Sequence, residues 1–178
     1  ALVDYAEAVR LNPNDRHLYR FRSKAYAELG QFDKALEDRS RLIEFRPDDP
    51  EAWLAGAELY IEMKQWELAI ADASRAIEFS PKGARAYDLR AVARMNVGEY
   101  AKAVDDWEEL LRVSHSPGFV AIGRQPKAFV TLAALQNAAH ACTERIKSRP
   151  GDPRPLLLRG HCYGRLSRWK EAGDDFAK

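Results

Sequence analysis

The stretch from Pro50 to Pro81, PEAWLAGAELYIEMKQWELAIADASRAIEFSP, decides the fold of this chain, because its pattern recurs 34 residues away on both sides. Six of its positions are matched in type on the N-terminal side: Trp53, Tyr60, Trp66, Ala69, Ala76 and Pro81 correspond to Tyr19, Tyr26, Phe32, Ala35, Leu42 and Pro47. On the C-terminal side five positions follow, at Tyr87, Arg94, Tyr100, Ala103 and Leu110. A fixed period of this size predicts a solenoid of helical pairs.

Each period is read as two helices separated by a turn. In the period that begins at Arg16, Gly30 is suited to end the first helix, because glycine adopts the left-handed conformation that helix ends favour. Pro47 ends the second helix, since the residue before a proline is pushed out of helical geometry. Small residues such as Ala57 and Ala91 mark the point where the two helices cross. The sequence therefore predicts alternating helices without strands.

These residues resemble the tetratricopeptide repeat (TPR) family. The resemblance rests on a bulky aromatic at the fourth position of the period, small residues at the eighth and twentieth, an aromatic at the eleventh and a proline near the end. It implies an all-α, right-handed α-solenoid of antiparallel helical pairs. Arg94 departs from the pattern at an aromatic position, and we interpret it as an arginine whose apolar stem covers the core while its charge reaches water.

The period divides the chain into one array, and both ends fall inside a repeat, so we expect a fragment of a longer array. The expected units are a partial repeat 1–15, full repeats 16–49, 50–83 and 84–117, a degenerate repeat 118–152 and a truncated repeat 153–178. Glycines and prolines interrupt the pattern at 114–126, which is expected to be mostly non-helical. Helix should resume near Pro126 or Lys127, with a turn close to Ala133 and Ala134. The alternative is one unbroken helix from Lys127 to Arg149.

Composition is that of a globular domain: of 178 residues, 46% are hydrophobic and 31% charged. Lys and Arg number 28 against 27 Asp and Glu, a balance that does not favour nucleic-acid binding. No apolar run suggests a membrane span or a signal peptide, and two cysteines favour a reducing compartment. We expect a cytoplasmic protein. Residues 159–166 also loosely resemble TPR arrays of bacterial multidomain signalling proteins, including Ser/Thr kinases, which implies a bacterial source.

Catalytic signatures are absent from the sequence. Phosphate-binding, zinc-protease and serine-hydrolase motifs do not occur. The histidines are scattered without metal-ligand spacing, so neither an enzyme, nor a cofactor, nor a metal site is expected. Cys142 and Cys162 are interpreted as small apolar core residues, with a redox role as the alternative. The tryptophans occupy repeat packing positions, so we expect them to be core residues rather than ligand-binding ones. His115 lies in the irregular stretch. We interpret it as a solvated turn residue, with a functional role as the alternative.

The resemblance implies a binding surface along the first helix of each pair, where TPR arrays bind extended peptides or partner helices. The candidate groove residues are Arg20, Lys24, Leu54, Glu58, Ile61, Arg85, Asp88, Val92 and Met95. The four apolar ones are expected to form an exposed patch rimmed by charge, as interaction sites commonly do. In the alternative reading Ile61 or Met95 packs into the core, and the charges only pair with one another.

The predicted function is therefore a non-catalytic scaffold that binds a protein or peptide in its groove. One TPR subclass grips the C-terminal carboxylate of heat-shock chaperones with Lys, Asn, Asn, Lys and Arg. The matching positions hold Arg20, Lys24, Ala55, Arg85 and Leu89, so chaperone clamping is not expected. Two alternatives remain. The array is the regulatory arm of a larger enzyme such as a signalling kinase, or it self-associates through its open repeat ends.

Overall fold

The computed structural model describes residues 2–114 and 131–178, and all regular secondary structure in this part of the chain is α-helical, which confirms the predicted all-α fold of helical pairs. The helices are α1 (Leu2–Leu11), α2 (Arg16–Glu28), α3 (Phe32–Phe45), α4 (Pro50–Glu62), α5 (Trp66–Phe79), α6 (Ala84–Val97), α7 (Tyr100–Val113), α8 (Leu132–Ser148), α9 (Arg154–Arg165) and α10 (Trp169–Phe176). They form two compact units, Ala1–Pro81 with α1 to α5 and Lys82–Lys178 with α6 to α10.

Side chains cap the starts of α2 and α4. Asp15 accepts a hydrogen bond from the backbone N–H of His17 at the start of α2, and Asp49 accepts one from Glu51 at the start of α4. Such caps satisfy backbone donors that have no partner inside the helix. Pro50 occupies the first turn of α4, where its missing N–H costs nothing. Local sequence therefore sets these two boundaries.

The turns inside the pairs share one backbone conformation. Gly30 and Gly98 have φ angles of 70° and 86° in the turns after α2 and α6. The equivalent residues after α4 and α9 are Lys64 and Ser167, with φ angles of 57° and 59°. This left-handed region suits glycine and strains residues with a Cβ. The predicted role of Gly30 is confirmed, and the same turn forms without glycine in two pairs.

Small residues allow the helices of a pair to pack closely. Ala35 and Ala69 on the second helices and Ala57 and Ala91 on the first helices are completely buried. In the α2–α3 pair, Ser23 takes the place of the first-helix alanine and donates a hydrogen bond to the carbonyl of Ala35. The small residues thus lie at the helix crossings, as expected.

The first unit has its core where α1, α2, α3 and α4 meet. Val9, Tyr19, Leu42 and Ala52 are buried together, with Leu18 and Ile43 packed against them. The Tyr19 hydroxyl also donates to the carbonyl of Pro13 at 2.9 Å, so the ring is buried while its polar atom keeps a partner. Apolar burial between successive pairs is what an array of repeats needs for stability.

Helix α8 corrects one expectation. It begins at Leu132, so Ala133 and Ala134 lie in its first turn and do not form the turn that we predicted there. The reason is Thr131, whose backbone is extended and whose hydroxyl accepts a hydrogen bond from the N–H of Ala134, so it caps the start of α8. For the same reason no single helix runs unbroken from Lys127 to Arg149. The expectations for 115–126, for His115 and for helix resuming near Lys127 lie outside the described residues.

No helix in the described ranges combines the length and the apolar character needed to cross a membrane.

Candidate interaction surface

Helix α2 presents a basic face to solvent. The cap at Asp15 sets the start of the helix, and three residues spaced by three and four positions, His17, Arg20 and Lys24, then share one side. Tyr19 and Ser23 point into the protein from the opposite side and are buried. All three basic side chains are exposed, as the groove prediction requires of Arg20 and Lys24.

An aromatic pair lies beside Arg20. Its guanidinium carbon is 5.4 Å from the centre of the Phe21 ring, a distance typical of cation–π contact. Phe21 in turn stacks on Tyr5 of α1, with ring centroids 6.1 Å apart and planes 16° from parallel. Phe21 remains 45% exposed, so an apolar surface borders the basic one.

Arg20 differs from the other arginines of the first unit, because it is the one arginine among residues 2–81 without an ion pair. The other seven are paired as follows: Arg10 with Glu7, Arg16 with Asp49, Arg22 with Asp38, Arg39 with Asp72, Arg41 with Glu44, Arg46 with Asp48 and Arg75 with Glu78. Lys24 likewise has no ion pair to any described residue. The two cations are therefore available to an outside anion.

The equivalent face of α4 does not form the exposed apolar patch that we expected. Leu54 and Ile61 are only 7% and 5% exposed, and Glu58 is half-buried. The physical reason is composition: six of the thirteen residues of α4 are buried, so apolar residues extend around more of the helix than one stripe. Glu51 and Glu62 remain exposed at its ends. The alternative reading, with Ile61 in the core, is the one observed.

Helix α6 buries its groove candidates even more completely. Val92 and Met95 have no appreciable exposure, and the Asp88 carboxylate is buried and accepts a hydrogen bond of 3.4 Å from the indole N–H of Trp107. Eight of its fourteen residues are buried, as in a helix that is apolar on most sides. Arg85 is exposed. Of the nine candidates, Arg20, Lys24 and Arg85 are thus exposed, and their role in binding stays a prediction.

A carboxylate pair links α2 and α4 electrostatically. Partial burial of its carboxyl raises the pKa of Glu62 above its usual value, and the negative charge of Glu28 on α2 raises that pKa further. Both side chains are exposed. The C-terminal ends of the two helices therefore carry negative charge, whereas the N-terminal part of α2 carries His17, Arg20 and Lys24.

The sequence analysis missed a set of buried arginine–aspartate pairs. Arg22, Arg90 and Arg159 each lie in a first helix and bind the aspartate sixteen residues later in the second: Asp38, Asp106 and Asp175. The recurring spacing was the signal that could have revealed them. Arg94 also corrects our interpretation, because its guanidinium does not extend to water but lies 2.7 Å from Asp106.

The cysteines and tryptophans divide between core and surface. Cys142 and Cys162 are buried free thiols, and burial raises the pKa of both, that of Cys162 to about 12. Thiols held protonated in this way are poor nucleophiles. Trp107 is fully buried as expected, but Trp169 is 70% exposed and is not a core residue. Within the described residues, no three His, Cys, Asp or Glu side chains are grouped to hold a metal ion.

Comparison with known proteins gives likenesses of structure rather than of sequence. No family model and no curated protein matches the chain. The crystal structure of MamA is 19% identical, with 99% of this chain and 86% of that chain covered and a TM-score of 0.64. A tetratricopeptide repeat protein from Parabacteroides merdae is 20% identical, with 99% and 68% covered and a TM-score of 0.59.

A third similar structure contains a ligand. The first TPR of Spaghetti (RPAP3), bound to the HSP90 peptide SRMEEVD, is 18% identical, with 73% of this chain and 92% of that chain covered and a TM-score of 0.57. Together with the helical pairs described above, these likenesses show that the chain has the TPR-like fold.

Proposed function

We propose that this chain is a non-catalytic protein-interaction module that binds an acidic peptide or helix on the exposed face of α2. Fold alone does not name a partner, since repeat scaffolds serve many ligands. The observation that carries the proposal is the pair of unpaired, exposed cations, Arg20 and Lys24, in a unit whose other arginines are all paired. The peptide in the RPAP3 structure, SRMEEVD, is itself acidic at its end.

The charge of the first unit favours a short acidic segment over a polyanion. Residues 1–81 contain 11 Lys and Arg against 16 Asp and Glu, so the unit as a whole repels nucleic acid and anionic membranes. Two cations on one helix face, Arg20 and Lys24, are too few for the phosphate contacts that such polymers usually make. Two or three carboxylates on a peptide match them in number and reach.

The ligand need not end in a free carboxylate. Ala55 and Leu89 stand where the chaperone clamp has asparagine and arginine, so two of its polar contacts have no counterpart in this sequence. Leu54 and Val92 are buried and therefore do not anchor the ligand in this proposal. The exposed ring of Phe21 beside Arg20 is a better apolar contact. We therefore favour a ligand with acidic side chains flanking one apolar residue.

A binding experiment with charge-matched variants tests the proposal. Two fluorescent peptides of about twelve residues are compared: one carries three glutamates around a leucine, and the other carries glutamines in their place. The parent should bind the acidic peptide more tightly, and Arg20→Glu with Lys24→Glu should abolish that preference. Reversal of Lys34 and Arg41 on α3 serves as the control, because both are exposed cations away from the face.

The salt dependence gives a second readout. Rim charges mainly accelerate association, so the acidic peptide should bind more slowly as salt rises from about 50 to 300 mM. The proposal is wrong if the parent binds both peptides equally, or if the α2 and α3 reversals act alike.

Self-association is a second candidate, favoured by apolar side chains on α10. Trp169 and Phe176 are both exposed on this helix, although α10 packs against α9. Sedimentation at several concentrations should show a dimer in the parent and a monomer after Trp169→Lys. A parent that stays monomeric at all concentrations removes this candidate.

A further inference from the structure

Three helical pairs contain an arginine clamp within the pair. Arg22 of α2 makes two hydrogen bonds to Asp38 of α3, at 2.9 and 2.6 Å. The pair α6–α7 repeats the arrangement with Arg90 and Asp106, and α9–α10 repeats it with Arg159 and Asp175. In each case the first helix supplies the arginine, the second supplies a buried aspartate, and the two are sixteen residues apart.

The pair α4–α5 keeps the aspartate but lacks the arginine. Asp72 is buried on α5, and the residue sixteen positions before it is Gly56. The cation comes instead from the preceding pair: Arg39 of α3 donates a hydrogen bond from Nη2 to the Asp72 carboxylate. Both side chains are nearly buried, at 11% and 9% exposure, so this contact is largely shielded from water.

The path of Arg39 explains the glycine. Its guanidinium lies between two rings of α4, 5.4 Å from the centre of Trp53 and 5.5 Å from that of Tyr60. A Cβ on residue 56 would lie 2.7 Å from the guanidinium carbon and closer still to Nε, and it would also press on the Asp72 carboxylate oxygen that Arg39 binds, so this carboxylate must shift in any variant with a side chain there. Arg39 and a side chain at position 56 therefore exclude each other. In the first pair the equivalent ring slot, Tyr19 and Tyr26, holds Arg22 from the same helix.

We infer that Arg39 is a positioning residue that locks the pair α2–α3 to the pair α4–α5 and so fixes α2, which carries the proposed binding face, against α4. The clamps of Arg22 and Arg90 each hold two helices of one repeat, whereas Arg39 joins three helices of two repeats. Arg159 makes a comparable link in the second unit, because it also donates a hydrogen bond of 3.0 Å to the Thr143 hydroxyl of α8. In a repeat array, contacts between neighbouring repeats decide whether the repeats open together or one at a time. A second and more exposed ion pair, Arg16 with Asp49, also joins α2 to the start of α4.

The buried aspartate on α5 depends on the charge of Arg39. Burial raises the pKa of Asp72 to about 6, although the charge of Arg39 opposes that rise. Without the arginine, the carboxylate would keep the cost of burial and lose the attraction that offsets it. The loss of Arg39 is therefore felt in α5 as well as in α3.

Moving the arginine from α3 to α4 tests whether the link between the two pairs matters, or only the presence of a cation beside Asp72. Arg39→Ala combined with Gly56→Arg moves the guanidinium onto α4, which recreates the arrangement of the other pairs. Amide hydrogen exchange is then followed separately in α2–α3 and in α4–α5. The reference variant is Arg41→Ala, which removes an exposed arginine on the same helix.

We expect Arg39→Ala to speed exchange in both pairs. The relocated variant should restore parental exchange in α4–α5, while α2–α3 continues to exchange about tenfold faster than in the parent, because local opening then no longer requires both pairs to open. Arg41→Ala should leave both pairs unchanged. Should the relocated variant fail to fold, Arg39→Gln gives the answer, with faster exchange expected in both pairs.

The inference is overturned if the relocated variant restores both pairs, or if Arg39→Ala or Arg39→Gln leaves α2–α3 at the parental rate. Binding of the acidic peptide adds a readout that rests on the proposed function: the relocated variant should bind more weakly although Arg20 and Lys24 are intact. A parent that binds no acidic peptide would remove the proposed function alone, since the exchange result does not depend on a ligand.

Discussion

Helices α2 and α4 occupy equivalent places in successive pairs, yet one exposes charge where the other buries apolar residues. Arg20 and Leu54 hold the same position in the period, and so do Ala27 and Ile61. Arg20 reaches solvent and has no ion pair, whereas Leu54 and Ile61 are buried. A repeat position therefore fixes the side of the helix on which a residue lies. It does not fix whether that side is covered.

The largest expected effect tests this difference directly. Leu54→Ala should destabilise the protein by about 2–5 kcal/mol, because it removes a buried side chain and leaves a cavity. Arg20→Ala at the equivalent position should change stability by less than about 0.5 kcal/mol, as exposed substitutions usually do. Chemical denaturation measures both. Similar losses for the two variants would mean that α2 and α4 do not differ as described.

A second prediction asks whether the two pairs are alike beneath these faces. Ala35 and Ala69 are equivalent, and both are fully buried at the helix crossings. Changing either to leucine should cost about 1–3 kcal/mol through overpacking. Leu68→Ala beside Ala69 is the control, since Leu68 is exposed and should have little effect. If only one of the two alanines resists enlargement, the pairs differ in packing and not only in exposure.

Substitutions in the turns within the pairs should give two smaller changes in stability, and these changes should have opposite signs. Gly30→Ala should destabilise by about 1 kcal/mol, because φ is 70° there and a Cβ is strained in that region. Lys64 has φ 57° in the equivalent turn after α4, so Lys64→Gly should relieve strain and stabilise by up to about 1 kcal/mol. Thermal unfolding of both variants tests this. A Lys64→Gly variant less stable than the parent would contradict it.

The sequence was sufficient for the fold because its signals are local and repeated. Aromatic, small and proline positions recur in register, and the caps at Asp15 and Asp49 lie where the helices begin. The exposure of the candidate site residues was harder to predict. Whether Leu54 is covered depends on neighbours in space, which no spacing along the chain reveals. The contact of Arg39 with Asp72 also crosses two repeats, so a search within single periods could not find it.

The smallest predicted effect concerns the negative ends of α2 and α4. Burial and the charge of Glu28 raise the pKa of Glu62 in the folded protein above its value in the unfolded chain. Folding therefore favours the protonated form, and the stability that this group contributes is present at low pH and is lost as pH rises through the folded pKa. Glu28→Gln removes the repulsive charge, so it should lower the pKa of Glu62. It should also stabilise the protein at pH 7 by about 0.2–0.5 kcal/mol, a value kept small by solvent screening.

The same substitution should have no effect on stability near pH 3, because the Glu62 carboxyl is then protonated in both the folded and the unfolded state and carries no charge for Glu28 to repel. Glu37→Gln on α3 is the control, since it removes an equal charge from an exposed site on another helix. Denaturation midpoints at pH 3 and pH 7 give the stability change, and the carbon chemical shift of the Glu62 carboxyl follows its titration. An unchanged titration of Glu62 in Glu28→Gln would show that the ends of α2 and α4 do not interact, and that the two helices share no electrostatic surface.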